Sequence, residues 1–224
     1  MNVDAVLLDA GGVLLMPSPD AFRRHLAPFG VSPDDEACQR GHYASMREID
    51  RIGREDWRVA DRALAREVGL HGDAVDAACA AIEDIYLGDD WVPKSGVVDA
   101  MRSLRAAGLA LAIVSNAEGT MARQLAGHRI CQVGDGDGVA VEVVVDSTVV
   151  GVAKPDPEIF AIALRELGVA PERTLHVGDS VHFDVEGARA AGINAVHLDP
   201  YGFCPSDDHP HIRELAELTP TLVQ

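Results

Sequence analysis

The sequence predicts an α/β fold, a doubly wound, Rossmann-like parallel sheet interrupted by an inserted four-helix cap. Three observations predict it. Short, nearly continuous apolar runs recur at 5–8, 109–114, 141–145, 174–177 and 195–198, as expected of strands covered on both faces. Helical stretches separate the later runs, which is the strand–helix–strand order of a parallel sheet. Between the first run and the second, residues 17–91 carry helical spacing and almost no strand signal.

Within that insert, Asp20 is placed to cap a helix bearing Phe22, Leu26 and Phe29, which Gly30 ends. Ser32-Pro33 with Asp34 and Asp35 starts a second helix. Trp57, Ala60, Leu64 and Val68 mark a third, up to Gly69. Val75, Ala78, Ile82 and Ile85 mark a fourth, begun by Asp73 and ended by Gly88. The expected division is a core of 1–16 and 92–224 with a cap of 17–91. Its crossings, at 16–19 and 88–94, carry the Pro and Gly of hinges, which suits either a closing lid or a fixed lobe.

In the core, Val97, Met101 and Leu104 share a helical face that stops at Gly108. Gly134-Asp135-Gly136-Asp137-Gly138 lacks the terminal acidic ligand of a calcium loop and is predicted to be a solvated turn. Pro157 suits the first turn of a helix carrying Phe160, Leu164 and Leu167, ended by Gly168. A last helix runs through Glu186, Arg189 and Ala190 to Gly192.

The 224 residues exceed one typical domain, and 47% hydrophobic content supplies a proper core. A net charge of −17 repels nucleic acid and anionic lipid at long range, so the expected partner is a small molecule. Cys38, Cys79, Cys131 and Cys204 show no paired short spacing and are expected to be free thiols, not a zinc knuckle or a redox pair. The amino end enters an apolar strand at once, and no apolar run approaches the ~20 residues that span a bilayer. A cytoplasmic protein without a membrane segment is expected.

Polar landmarks stand at or just past the carboxyl ends of the apolar runs, where doubly wound sheets bind ligands. Asp9 follows the first run and precedes Gly11 and Gly12, which let backbone approach a ligand closely. Ser115 follows the second, Lys154 precedes Pro155, and Asp179 follows the fourth. A carboxylate nucleophile, a hydroxyl donor, a cation and a metal-binding acid together suit Mg²⁺-assisted hydrolysis through an aspartyl intermediate.

Four ordered motifs, Asp9-Ala10-Gly11-Gly12-Val13-Leu14, Val114-Ser115-Asn116, Lys154-Pro155-Asp156-Pro157 and Gly178-Asp179-Ser180 leading to Asp184, resemble those of the haloacid dehalogenase superfamily with a helical cap after the first motif. The resemblance covers essentially the whole chain. It implies Asp9, Ser115 and Lys154 as catalytic residues: nucleophile, phosphoryl-oxygen donor and cation. It implies Gly12 and Asn116 at the substrate, and Asp9, the Gly11 carbonyl, Asp179 and Asp184 around Mg²⁺. Asp184 either completes the metal shell, directly or through water, or caps the following helix.

One position departs from the pattern. Phosphatases of the superfamily usually carry a second aspartate where this chain has Gly11, to protonate the leaving oxygen and then activate water, help worth ~10²–10⁴-fold. Either another group serves, with His182, Asp20, His25 and His42 as candidates, or the leaving group needs little help, as in a glycosyl 1-phosphate or an acyl phosphate. The resemblance leaves three functions: a phosphatase of a small phosphorylated metabolite, a metal-independent 2-haloacid dehalogenase, or a catalytically silent binding module. Arg23, Arg24, Arg47 and Arg51 in the cap do not by themselves choose a substrate.

Overall fold

The computed structural model describes residues 3–218. Residues 1–2 and 219–224, which the sequence boundaries assign to the core, lie outside the described residues. Two compact units are present. One takes the chain up to Leu14, Pro93–Pro200 and the chain from Ser206; the other takes Leu15–Val92 and Tyr201–Pro205. The segment Tyr201–Pro205 comes from the span 92–224 that the sequence boundaries leave to the core.

The first unit is built on a six-stranded parallel sheet of β1 (Ala5–Leu8), β2 (Ala110–Ser115), β3 (Val143–Asp146), β4 (Thr174–Gly178), β5 (Asn194–Leu198) and β6 (His211–Ile212). Strand order is β6-β5-β4-β1-β2-β3. The chain travels from β1 towards β3, then crosses back and continues from β4 to β6. The order therefore reverses between β1 and β4, the point at which such sheets hold ligands. Leu7, Ala112, Val114 and Val145 join Ile159, Phe160 and Val185 in one buried cluster, so side chains from the strands and from helix Pro157–Leu167 form the core.

The apolar run 141–145 is one stretch in sequence and two elements in space. Val139–Val141 pairs with Cys131–Val133 in a small ribbon, and only Val143–Asp146 joins the main sheet. Glu142 makes the break. Its N–H donates to the Leu111 carbonyl at 2.9 Å and its carboxylate accepts from the Leu111 N–H at 2.8 Å. Gly134–Gly138 is the turn of that ribbon, held by the Gln132 amide, which accepts from the Gly138 N–H at 2.8 Å.

The second unit packs helices Pro19–Leu26, Asp35–Ile52 and Trp57–Glu67 with a fourth rod split into Asp73–Ala77 and Cys79–Leu87. Phe22, Leu26, Leu64, Val68, Ile82 and Ile85 meet in its core. Two expectations need correction. Ser18, not Asp20, caps the first helix, its Oγ accepting from the Ala21 N–H at 3.0 Å, because Pro19 occupies the first helical position. The fourth helix breaks at Ala78 instead of running through to Gly88. Among the described residues no helix is long and apolar enough to cross a membrane.

Candidate active site

The carboxyl ends of β1 and β4 bring three acids together. Asp9 is fixed as β1 ends, its N–H donating to the Val177 carbonyl at 2.9 Å. One carboxylate oxygen each from Asp9, Asp179 and Asp184 lie within 4.8 Å of one another, and all three residues are buried. Lys154 stands among them, its Nζ 2.9 Å from Asp9 Oδ1 and 2.7 Å from Asp184 Oδ1, with its side chain 3% exposed.

Asn116 positions that lysine. Its amide nitrogen donates to the Lys154 carbonyl at 3.0 Å and its amide oxygen accepts from the Lys154 N–H at 2.8 Å. The resemblance puts Asn116 at the substrate, through its backbone or its amide; its side-chain amide is bonded to the Lys154 main chain. Ser115 is the last residue of β2 and is buried, while the β1–β2 register pairs Leu8 with Ile113, so Ser115 and Asp9 occupy neighbouring strand ends. Gly11 and Gly12 form the turn after Asp9, and Gly12 takes φ +68, open to glycine at low cost.

The predicted helix after Asp179 begins as a π-helical turn, Val181–Glu186, and becomes α-helical only over Gly187–Ala190. Its cap is Ser180, whose Oγ accepts from the Phe183 N–H, so Asp184 is released from capping. Asp184 accepts instead from Lys154, from the Ser180 N–H at 3.1 Å and from His176 Nε2 at 2.8 Å. Gly178 makes room for it: a Cβ at that position would stand 2.0 Å from Asp184 Cγ.

Two contributors are absent from the residues the sequence motifs single out. His176 lies inside β4 and is fully buried, its ring edge-on to Phe160 at 5.0 Å between centroids. An imidazole within an apolar strand, two residues before the strand-end glycine, is the mark that could have revealed it. Lys94 is half-buried, and burial pulls its ammonium down to about 8 while the Asp179 charge opposes that fall.

The acids respond in opposite senses. Burial pushes the Asp9 carboxyl up to about 7; Lys154 opposes this, while Asp184 and Asp179 add to it. Burial also works against an ionised Asp184, but Lys154 and His176 outweigh it and hold that carboxyl below the usual range. Burial lowers His176, leaving a neutral imidazole that donates to Asp184. Lys154 is itself held charged by the two acids against its burial. Three clustered, buried carboxylates, two of them paired with one buried ammonium and Asp9 driven towards protonation, form an oxygen-rich, electron-rich set that fits a hard divalent cation.

Three of the candidates for the acid missing at Gly11 have partners of their own. His182 Nδ1 faces Glu186 at 3.3 Å. In the helical unit, Asp20 pairs with Arg23, and His42 meets the Tyr86 hydroxyl at 3.0 Å and stacks on its ring; His25 is half-buried. The arginines of the helical unit are engaged with acids: Arg23 with Asp20 and Asp35, Arg24 with Asp90, and Arg47 and Arg51 with Glu48.

Comparison with known proteins places this geometry. Phosphoserine phosphatase of Thermus thermophilus is 42% identical over 103 residues, 46% of this chain and 39% of that protein. The chain therefore spans well under half of that relative's length. Phosphoglycolate phosphatase 1 of Pseudomonas aeruginosa is 28% identical over 227 aligned positions, 97% of this chain and 75% of that protein. Among solved structures, the HAD-hydrolase YfnB from Bacillus subtilis superposes with a TM-score of 0.65 at 19% identity, covering 100% of both chains. A family model described as haloacid dehalogenase-like hydrolase matches residues 3–192. With that match over most of its length, the chain belongs to the haloacid dehalogenase-like hydrolase family.

Proposed function

We propose that the protein is a Mg²⁺-dependent phosphatase of a small phosphorylated metabolite, acting through an aspartyl-phosphate on Asp9. The observation that carries this is the three-acid cluster beside Lys154, because a dehalogenase that works without metal does not need the third carboxylate, Asp179, beside its nucleophile. The phosphatase names of the two relatives support the same class.

Asp9, Asp179, Asp184 and the Gly11 carbonyl would hold the cation. When bound, Mg²⁺ supplies positive charge against the phosphoryl oxygens, so that an anionic carboxylate can approach an anionic substrate. Asp9 attacks phosphorus, the P–O bond to the leaving group breaks, and water later opens the acyl phosphate and restores the carboxylate. Lys154 aligns Asp9 and neutralises charge, with Asn116 holding its backbone in place. Ser115 donates its hydroxyl to a phosphoryl oxygen, and the Gly12 backbone lets the anion come close.

Gly11 supplies no proton, so the preferred substrate carries a leaving group that departs unaided, such as a glycosyl 1-phosphate or an acyl phosphate. The helical unit is assigned to substrate selection, as a cap. The test is a screen of phosphorylated metabolites with and without Mg²⁺, including sugar 1-phosphates and 2-chloropropionate, with Asp9→Asn as control. Mg²⁺-dependent phosphate release, abolished in Asp9→Asn, is expected. Metal-free turnover of 2-chloropropionate alone would establish the dehalogenase instead, and no turnover of any substrate would establish the silent module.

A further inference from the structure

A second cluster of ligating side chains lies at the opposite margin of the sheet from β3. β6 pairs with β5 in parallel register, His211 opposite His197. Residues paired in this way face the same side of a sheet, and His209, in the bend just before the strand, brings its ring beside the other two. The centroids of the three rings are 5.4 Å (His197–His209), 5.2 Å (His197–His211) and 4.5 Å (His209–His211) apart. His197 and His209 are buried, and His211 is exposed.

The hydrogen bonds assign the tautomers. His197 Nε2 is 3.2 Å from the Asp179 carbonyl oxygen, which only accepts, so this nitrogen carries the hydrogen. His209 Nδ1 faces the Asp208 carboxylate, which also only accepts. In the neutral rings the remaining nitrogens, His197 Nδ1 and His209 Nε2, present lone pairs, and they face each other at 3.4 Å. A cation between them would bind both.

The spacing suits a metal ion. Two nitrogens bound at ~2.0–2.1 Å to a tetrahedral Zn²⁺ stand ~3.3–3.4 Å apart. A ring nitrogen of each of the three histidines lies within 4.8 Å of the others. A ligating histidine commonly gives its second ring hydrogen to a backbone carbonyl or a carboxylate, which are the two partners found here.

We propose that His197, His209 and His211 form a second metal site, distinct from the carboxylate cluster, for a borderline divalent ion of the Zn²⁺ class. Imidazole nitrogen favours such ions over Mg²⁺, which prefers oxygen. Bound there, the ion ties the two-residue strand β6 to β5 and, through His197, to the peptide of Asp179.

The test uses the full chain without an affinity tag, stripped with a chelator and dialysed against Zn²⁺ in excess Mg²⁺, with zinc per chain measured by elemental analysis. One equivalent is expected in the unaltered protein and in Asp179→Asn, and its loss in His209→Gln. His211→Ala changes an exposed side chain, so its fold is not at stake, and it too should lose the equivalent. A chain that takes up no zinc, histidine variants that keep it, or loss in Asp179→Asn alone would overturn the proposal; the first outcome would leave a shared proton between His197 and His209. None of these results depends on the phosphatase reading.

Discussion

The two polar clusters of the sheet solve the burial of ligating groups in opposite ways. At the ends of β1 and β4, three acids cluster, two of them paired with Lys154, and burial works against their charge, so one of them, Asp9, is driven up to about 7. At β5 and β6, three imidazoles are neutral when deprotonated and need only their tautomers fixed, which the Asp179 carbonyl and Asp208 do. Oxygen and charge make the first site a place for a hard cation and an anionic reaction. Nitrogen ligands suit the second to the softer ion proposed there. His197 joins them, since the carbonyl that orients it belongs to Asp179.

The largest expected effect falls on the charged site. Lys154→Met leaves Asp9 and Asp184 without their shared ammonium in a buried setting, which should cost about 3–5 kcal/mol in urea unfolding. A loss under about 1 kcal/mol would mean that the acids are solvated and that the contrast between the clusters is false.

Next comes Gly178→Ala. Its Cβ would occupy the space of the Asp184 carboxylate, so the acid must shift, and a displacement of ~1 Å in a reacting constellation costs ~10²-fold. Phosphate release should fall by about that factor with zinc content unchanged. Equal activity would show that Asp184 does not orient Lys154.

The acid shifts make a signed prediction about pH. Asp9 has a raised value in the folded chain, so its contribution to stability is present below the ordinary carboxylate value and fades as pH rises through about 7. Asp184 is held low, so its contribution is present above the ordinary value and fades only on acidification. In chelator, the thermal-stability difference between the unaltered protein and Asp9→Asn should decline from pH ~5 to ~8, and saturating Mg²⁺ should flatten that decline. A rise over this range would place Asp9 as an ordinary paired carboxylate.

The smallest effect should come from Asp208→Asn at the histidine site. Removing the carboxylate behind His209 weakens orientation without removing a ligand, which typically lowers metal affinity ~10–100-fold. Unchanged Zn²⁺ affinity in a competition titration would remove Asp208 from the account.

The same contrast explains what could be read from the residues alone. The central strands and the acids at their tips are legible because buried parallel strands are continuous apolar runs, and Asp9 and Asp179 follow such runs directly. The partners that orient them are not. His176 sits inside a run and Asn116 acts on main chain 38 residues away. Glu142 divides an apolar run through contacts to Leu111 that no local pattern encodes. The histidine cluster is further out of reach, because β6 is two residues long and brings its side chains opposite His197 only through pairing. A search keyed to paired cysteines passes over it.

The central claim is that Asp9 carries the phosphoryl group in turnover. The direct measurement is an acid quench during hydrolysis, followed by borohydride reduction and peptide mass spectrometry, since an acyl phosphate on aspartate is reduced to homoserine. Homoserine at position 9, present with substrate and Mg²⁺ and absent without either, is the predicted result. Steady phosphate release with residue 9 recovered only as aspartate, or with the label on another residue, would contradict it.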